Sequence, residues 1–239
     1  MRIEICIPAY NEERIIAESA RAVLRALRDA GKKDALVTVC DNASFDATAR
    51  IAKGVIGVGV LSVPVRGKGA AVVGAARHSQ ADIFGFIDAD ISADPSEIAT
   101  LVAFIENDDC DIVVGSRLLN TEIIRRGVFR SVLSRAFNIL RKMILGIRVQ
   151  DTQCGLKVMN VHGRDVLATC VETGWFFDIE FLARAERAGL RIREVPIRWD
   201  EERFPGRVSK LNHVRDSIGA LRAMVRIRRA LRDSQPTSH

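Results

Sequence analysis

Two aspartates spaced two apart, Asp88 and Asp90, close a short apolar run, Phe86-Ile87-Asp88-Ala89-Asp90. Side chains two apart on a strand share a face, so both carboxylates can reach one site at the strand's carboxyl end. Open α/β sheets bind ligands in that place. Hard oxygen donors in this arrangement suit Mg²⁺ or Mn²⁺ bridging to phosphate oxygens, because Mg²⁺ ordinarily takes one or two carboxylates and leaves the rest of its shell to substrate. D-x-D alone is common in solvated turns; the buried strand that leads into this one sets it apart.

Three other segments converge on phosphate and nucleotide chemistry. Pro8-Ala9-Tyr10-Asn11-Glu12-Glu13 joins a first strand to a first helix. Cys40-Asp41-Asn42-Ala43-Ser44-Phe45-Asp46 ends a second strand with an acid able to accept bonds from a base or ribose. Arg66-Gly67-Lys68-Gly69-Ala70 places backbone amides and Lys68 at a helix N-terminus, an expected anion site. There is no Walker A motif, and no G-x-G-x-x-G follows a strand, which argues against a P-loop enzyme or a Rossmann dehydrogenase.

The elements that must position these groups alternate. Strands are predicted over 2–8, 35–40, 58–62, 83–87 and 111–115, and helices over 12–30, 46–52, 68–79 and 95–106. Such alternation predicts a mostly parallel, doubly wound sheet in one domain. The second half is less regular. An amphipathic helix is expected over 131–147, a helix over 177–188, a strand over 191–199 and a long basic helix over 211–231. The five cysteines are far apart and form no C-x-x-C pair, so they read as buried thiols of a reducing compartment and not as a zinc site. Strand-like sequence from Ile3 leaves no room for a signal peptide, and no uncharged apolar run reaches the ~18 residues of a membrane span.

The set I-P-A-Y-N-E-E, D-N-A-S-F-D-A-T, G-K-G-A, D-A-D-I-S, V-G-S-R and D-T-Q-C-G, in this order over about residues 3–210, resembles the inverting family 2 glycosyltransferases of GT-A fold. Within them it is most similar to the dolichyl- and polyprenyl-phosphate hexose synthases. The resemblance implies that Pro8, Tyr10, Glu12 and Asp41 hold the base and ribose of a nucleotide sugar (GDP-mannose or UDP-glucose), and that Asp88 and Asp90 bind metal and diphosphate, with Ser92 an additional candidate. Two departures stand out. Asn42 takes the place of a second acid in the usual D-D-G-S, and Ser92 that of a frequent Gln. Asp151-Thr152-Gln153-Cys154-Gly155 resembles the motif lining the acceptor side, and Trp175-Phe176-Phe177-Asp178-Ile179-Glu180 the segment near the sugar.

Inverting transfer needs in-line attack on the anomeric carbon while a nucleoside diphosphate leaves, its charge stabilised by the metal and by Lys68 or Lys210. A lipid phosphate is already ionised at neutral pH, its second pKa being ~6, and then needs cations to place it and no general base. Arg117, with Arg130 and Ser134 one helical turn apart, are the candidates for that role. A hydroxyl acceptor, on a soluble sugar or a polysaccharide, would instead require a carboxylate base, for which Asp151 is available.

Charge supports a surface-bound enzyme. The net +6 is concentrated in 117–150, with eight Lys/Arg against one acid, and in 203–232, with nine against one, leaving an acidic body. Phosphate or an anionic membrane fits that layout. Nucleic acid is not expected as a partner, because one Tyr and two Trp offer little stacking surface. The expected organisation is a transferase domain over 1–210 and a basic amphipathic helix and tail over 211–239, peripheral on the cytoplasmic membrane face, alone, as a homo-oligomer or with a separate membrane partner.

Overall fold

The computed structural model describes residues 1–119, 145–200, 203–204, 225–229 and 231. In chain order the elements are β1 (Ile3–Ala9), α1 (Ile16–Asp29), β2 (Leu36–Asp41), α2 (Thr48–Lys53), β3 (Val58–Ser62), α3 (Lys68–His78), β4 (Ile83–Ile87), α4 (Glu97–Glu106), β5 (Ile112–Ser116), β6 (Leu156–Asn160), α5 (Val161–Ala168), α6 (Phe177–Arg187) and β7 (Ile192–Pro196). The seven strands form one sheet in the order β3-β2-β1-β4-β6-β5-β7. Every pairing is parallel except those of β6, which runs antiparallel to both β4 and β5.

Helices cover both faces, so the central strands are apolar along their length. Ile83 and Ile87 of β4 join Ile5, Ile7, Val37 and Val39 in the core that α1 and α4 cover. Phe84 and Phe86 join Cys6, Cys40, Val114 and Met159 on the opposite face, with α3 and α6. The two-residue period continues past the end of β4, so Asp88 shares the side of Phe84 and Phe86. On α1, Ile16, Ala20, Val23, Leu24 and Leu27 form the buried stripe at helical spacing. The Ala- and Gly-rich α3 buries six of its eleven residues and lies close on the sheet. All five cysteines are buried free thiols, and burial pushes the Cys154 thiol up to about 12.

Several boundaries differ from those expected, each for a local reason. Helix α2 starts at Thr48 and not Asp46, because the Asp46 carboxylate accepts the Thr48 amide (2.9 Å) and caps the helix from outside it. Helix α1 starts at Ile16, the Glu12 carbonyl accepting the amides of Ile15 and Ile16 in a preceding turn. Strand β7 ends at Pro196, which has no amide for the ladder. Strand β6 and helix α5 have no counterpart among the elements expected from the sequence. The expected helix 131–147 lies outside the described residues apart from its last three, of which Leu145 is helical and buried. Of 211–231 only 225–229 and 231 are described: Ile227 and Leu231 are buried in the core around α6, while Arg226 and Arg229 are exposed. Ile227 and Leu231 therefore pack on the protein body, while Val225 is 44% exposed. No helix among the described residues is long and apolar enough to cross a membrane.

Candidate functional site

Antiparallel pairing of β6 with β4 assembles the centre of the site. Ile87 pairs with Leu156, and the Asp88 amide donates to the Gly155 carbonyl (3.2 Å), which sets the D-T-Q-C-G loop beside D-A-D. A Cβ at position 155 would strike the Asp88 carboxylate and force it to shift, so the glycine keeps Asp88 where it is. The chain then turns sharply. Ile91 has a φ of 42°, an uncommon region for a β-branched residue, and its amide closes the turn onto the Asp88 carbonyl (2.9 Å). The Ser92 amide donates to the Asp90 carboxylate (3.2 Å).

Two lysine–aspartate pairs lie here. At the rim, Lys68 Nζ contacts Asp88 Oδ1 at 2.6 Å, their side chains 9% and 24% exposed. Burial alone would lower the Lys68 pKa, but the Asp88 and Asp178 carboxylates more than offset this and hold it above its ordinary value. The Asp88 carboxyl is itself raised, by burial first and by the nearby Asp90, against the pull of Lys68. Below, Lys157 Nζ contacts Asp178 Oδ1 at 2.5 Å with both side chains enclosed, and also donates to the Cys154 carbonyl at 2.7 Å. This second pair ties α6 to the loop that carries Asp151. A charged residue inside the apolar run Leu156–Asn160 is the sequence signal for it, since a fully buried lysine requires a partner.

The N-terminus of α3 is not the open anion site that its sequence promised. The Gly69 and Ala70 amides donate to the carbonyls of Gly174 and Thr173, and the Gly67 amide to the Asn42 side chain. Side chains at 67 or 69 would collide with the backbone of Thr173 and Glu172. What this helix presents to the site is the Lys68 ammonium, 5.3 Å from the Trp175 ring and 5.8 Å from that of Phe177. The loop over 171–174 is in turn fastened. Glu180 accepts the amides of Val171 and Glu172 and pairs with Arg184, and Glu172 pairs with Arg226 at 2.7 Å. Asp178 and Glu180 are thus structural anchors, each committed to a partner.

At the end of β1 and β2, Pro8 lies opposite Cys40 and Ala9 opposite Asp41. The Asp41 carboxylate is buried, and its Oδ1 has no hydrogen-bond partner among the described residues. A buried orphan acceptor is costly unless a ligand N–H or O–H completes it. Beside it, the Arg66 guanidinium lies 4.3 Å over the Tyr10 ring and Phe45 meets that ring edge-on at 6.1 Å. Two loops are laced together here: the backbone amides of Asn11, Glu12 and Glu13 donate to the side chains of Ser44, Thr48 and Asp46. Asn42 explains its own departure from the family pattern. It donates to the Val65 carbonyl and accepts from the Gly67 amide, two roles an aspartate could not fill together.

On the acceptor side, Arg117 and Asp151 are one bidentate unit, with Nε–Oδ2 at 2.8 Å and Nη2–Oδ1 at 2.7 Å. The Arg117 amide also donates to Asp151 (2.9 Å), and Trp199 lies against the guanidinium at 4.9 Å. Burial would raise the Asp151 carboxyl, but the Arg117 bonds prevail and lower it. Pro8, Tyr10, Glu12, Asp41, Lys68, Asp88, Asp90, Arg117 and Asp151 all lie on loops or element ends that follow β1, β2, β3, β4 and β5 or precede β6. Arg130, Ser134 and Lys210 lie outside the described residues. Lys157 and Glu172 are components that sequence reasoning passes over, and Arg66, quoted only as part of the loop before α3, packs on the Tyr10 ring.

A model of glycosyl transferase family 2 matches residues 4–163. Glycosyltransferase AglD of Haloferax volcanii is 30% identical over 226 residues, covering 92% of this chain and 36% of its own length. Dolichyl-phosphate beta-glucosyltransferase of Saccharomyces cerevisiae is 31% identical over 253 residues (95% of this chain, 74% of that one). That of Dictyostelium discoideum is 29% identical over 244 residues (95% and 73%). This chain thus spans little more than a third of the archaeal relative. Glucosyl-3-phosphoglycerate synthase from Mycobacterium tuberculosis, solved with Mn²⁺, uridine-diphosphate-glucose and phosphoglyceric acid, superposes with a TM-score of 0.70 at 24% identity, covering 99% of this chain and 81% of that one. That likeness is one of fold, the GT-A nucleotide-sugar transferase fold.

Proposed function

This chain belongs to glycosyl transferase family 2, and from that premise we propose that it transfers a hexose, with inversion, from a nucleotide sugar to a polyprenyl or dolichyl phosphate at a membrane surface. The relatives named dolichyl-phosphate beta-glucosyltransferase support this acceptor class and favour glucose as the sugar.

The observation that carries the reading is the Arg117–Asp151 pair. Both Asp151 oxygens accept from Arg117, and the acids around it are committed too, Glu194 to the amides of Gln150 and Asp151, Asp178 to Lys157. A hydroxyl acceptor needs a free carboxylate to take its proton. A phosphate acceptor arrives ionised and needs a cation. Arg117 spends two of its five side-chain N–H groups on Asp151, leaving three for a phosphate, and the pair locks its guanidinium in place. Arg130 and Ser134 complete the acceptor set in this reading.

On the donor side, Asp41 accepts from the base or ribose beside Pro8, Tyr10 and Glu12, and Lys68 and Lys210 neutralise the diphosphate. The two carboxylates of Asp88 and Asp90 fit a Mg²⁺ or Mn²⁺ ion, being hard oxygen donors that leave most of its shell to phosphate and water. Bound there, such an ion supplies Lewis-acid neutralisation of the leaving group. Residues 1–210 form the transferase domain in this proposal, and the basic segments outside its core hold it to the cytoplasmic face of an anionic membrane. A screen of UDP- and GDP-hexoses with polyprenyl phosphate and Mn²⁺ tests it. The expected product is an organic-soluble hexosyl phosphate lipid; transfer to soluble sugars in the absence of lipid overturns the acceptor assignment.

A further inference from the structure

Given the donor chemistry proposed for this site, on which the inference rests, the pair at the rim poses a question of charge balance. Asp178 is held by Lys157 from below, and among the described residues Lys68 is the cation in direct contact with Asp88. Lys68 Nζ already occupies Asp88 Oδ1 at 2.6 Å. An incoming divalent cation must therefore share or displace the resident cation at the first of its two ligands. The backbone of Lys68 cannot withdraw to make room, because Gly67 and Gly69 are in contact with the backbone of 172–174 and the first-turn amides are bonded to it. Only the side chain can move, and it lies between the Trp175 and Phe177 rings on one side and the Asp88 carboxylate on the other.

We infer that Lys68 is a resident counter-ion of the metal site, which keeps the divalent cation from binding tightly by itself and makes metal and nucleotide diphosphate load together. With the diphosphate present, the anionic oxygens give the Lys68 ammonium a second partner while Asp88 and Asp90 turn to the cation. Without it, a divalent ion on Asp88 leaves an ammonium stranded beside a like charge in a half-buried site, where repulsion is poorly screened. The coupling is reciprocal, so the factor by which nucleotide tightens metal binding equals that by which metal tightens nucleotide binding.

The test is direct binding of Mn²⁺ to the full chain, read from the electron paramagnetic resonance signal of free Mn²⁺, with and without nucleoside diphosphate, in wild type and in Lys68→Met, Lys68→Gln and Lys68→Arg. Lys68→Met and Lys68→Gln should bind Mn²⁺ alone at least about tenfold more tightly than wild type and lose most of the nucleotide coupling, while Lys68→Arg keeps the wild-type pattern. The neutral variants serve as each other's control against misfolding, with thermal melts run alongside. Wild-type Mn²⁺ affinity unchanged or weakened by both neutral substitutions overturns the inference and leaves the metal site standing. Absence of Mn²⁺ binding in every protein, with nucleotide bound normally, overturns the metal assignment itself and the inference with it.

Discussion

The floor and the rim of the site are built from the same two residue types, at nearly the same length, and do opposite work. Lys157–Asp178 spans 2.5 Å with both side chains enclosed, and Lys68–Asp88 spans 2.6 Å with both side chains partly open. No ligand can replace either partner on the floor, so that pair holds a helix, a strand and a loop in register. At the rim, in the proposed function, a diphosphate takes the lysine and a divalent cation the aspartate, so that pair would be exchanged. Length does not distinguish them. Access does. The third ion pair, Arg117–Asp151, is intermediate: Asp151 is enclosed and Arg117 about a quarter exposed, so the carboxylate orients a guanidinium that still faces outward.

Breaking the rim should separate activity from stability most widely. Asp90→Ala is expected to lower transfer at least about a thousandfold, roughly 4 kcal/mol of transition-state stabilisation, while the urea midpoint hardly moves. A variant within a few-fold of wild-type turnover at saturating Mn²⁺ would remove Asp90 from the site. The floor should do the reverse. Asp178→Ala leaves the Lys157 ammonium buried and alone, a loss of about 3–5 kcal/mol in urea unfolding, and Lys157→Met combined with Asp178→Leu should recover most of it. Recovery of stability without recovery of turnover would show the pair also sets the position of the acceptor loop.

Arg117→Ala probes the intermediate case. It should raise the KM for lipid phosphate about 10- to 100-fold, corresponding to roughly 1.5–3 kcal/mol for charge-assisted bonds, and leave that for the nucleotide sugar nearly unchanged. Equal changes in both constants would contradict its place on the acceptor side. The smallest effect belongs far from the site, at Asp111, whose carboxyl is lowered to about 2 chiefly by hydrogen bonds from Arg191. A depressed pKa contributes stability that is full above the ordinary carboxylate range and is lost as pH falls toward 2. Asp111→Asn should therefore be less stable than wild type at pH 7, by about 1–2 kcal/mol once solvent screening of the half-exposed Arg191 is allowed for, and the gap should close in acid.

The donor half was legible because each piece carries a local signal. Strands 58–62 and 83–87 are bounded by turn residues and match as read, and D-A-D follows a strand whose burial is plain from composition. The acceptor half depends on a long-range pairing. Leu156–Asn160 is short, contains a lysine, and is a strand only because it fills the gap between β4 and β5. Its lysine looks like a break in the apolar pattern until Asp178, 21 residues away, is placed against it. The closed N-terminus of α3 is hidden for the same reason: the carbonyls that take its amides come from Thr173 and Gly174, about a hundred residues downstream. Local pattern tells which residues can do chemistry, whereas the partners that already occupy them are set by the topology.

The central claim is that the acceptor brings its own charge and the protein supplies cations in place of a base. The most direct measurement is the pH dependence of kcat/KM for polyprenyl phosphate, compared with a phosphonate analogue of higher second pKa. For the phosphate the rate should climb through pH ~6 with the second ionisation and then level off, and for the phosphonate the same limb should shift upward with the acceptor's own pKa. A limb that stays in place when the acceptor's pKa changes would mean that a group on the protein takes a proton, and would contradict the account.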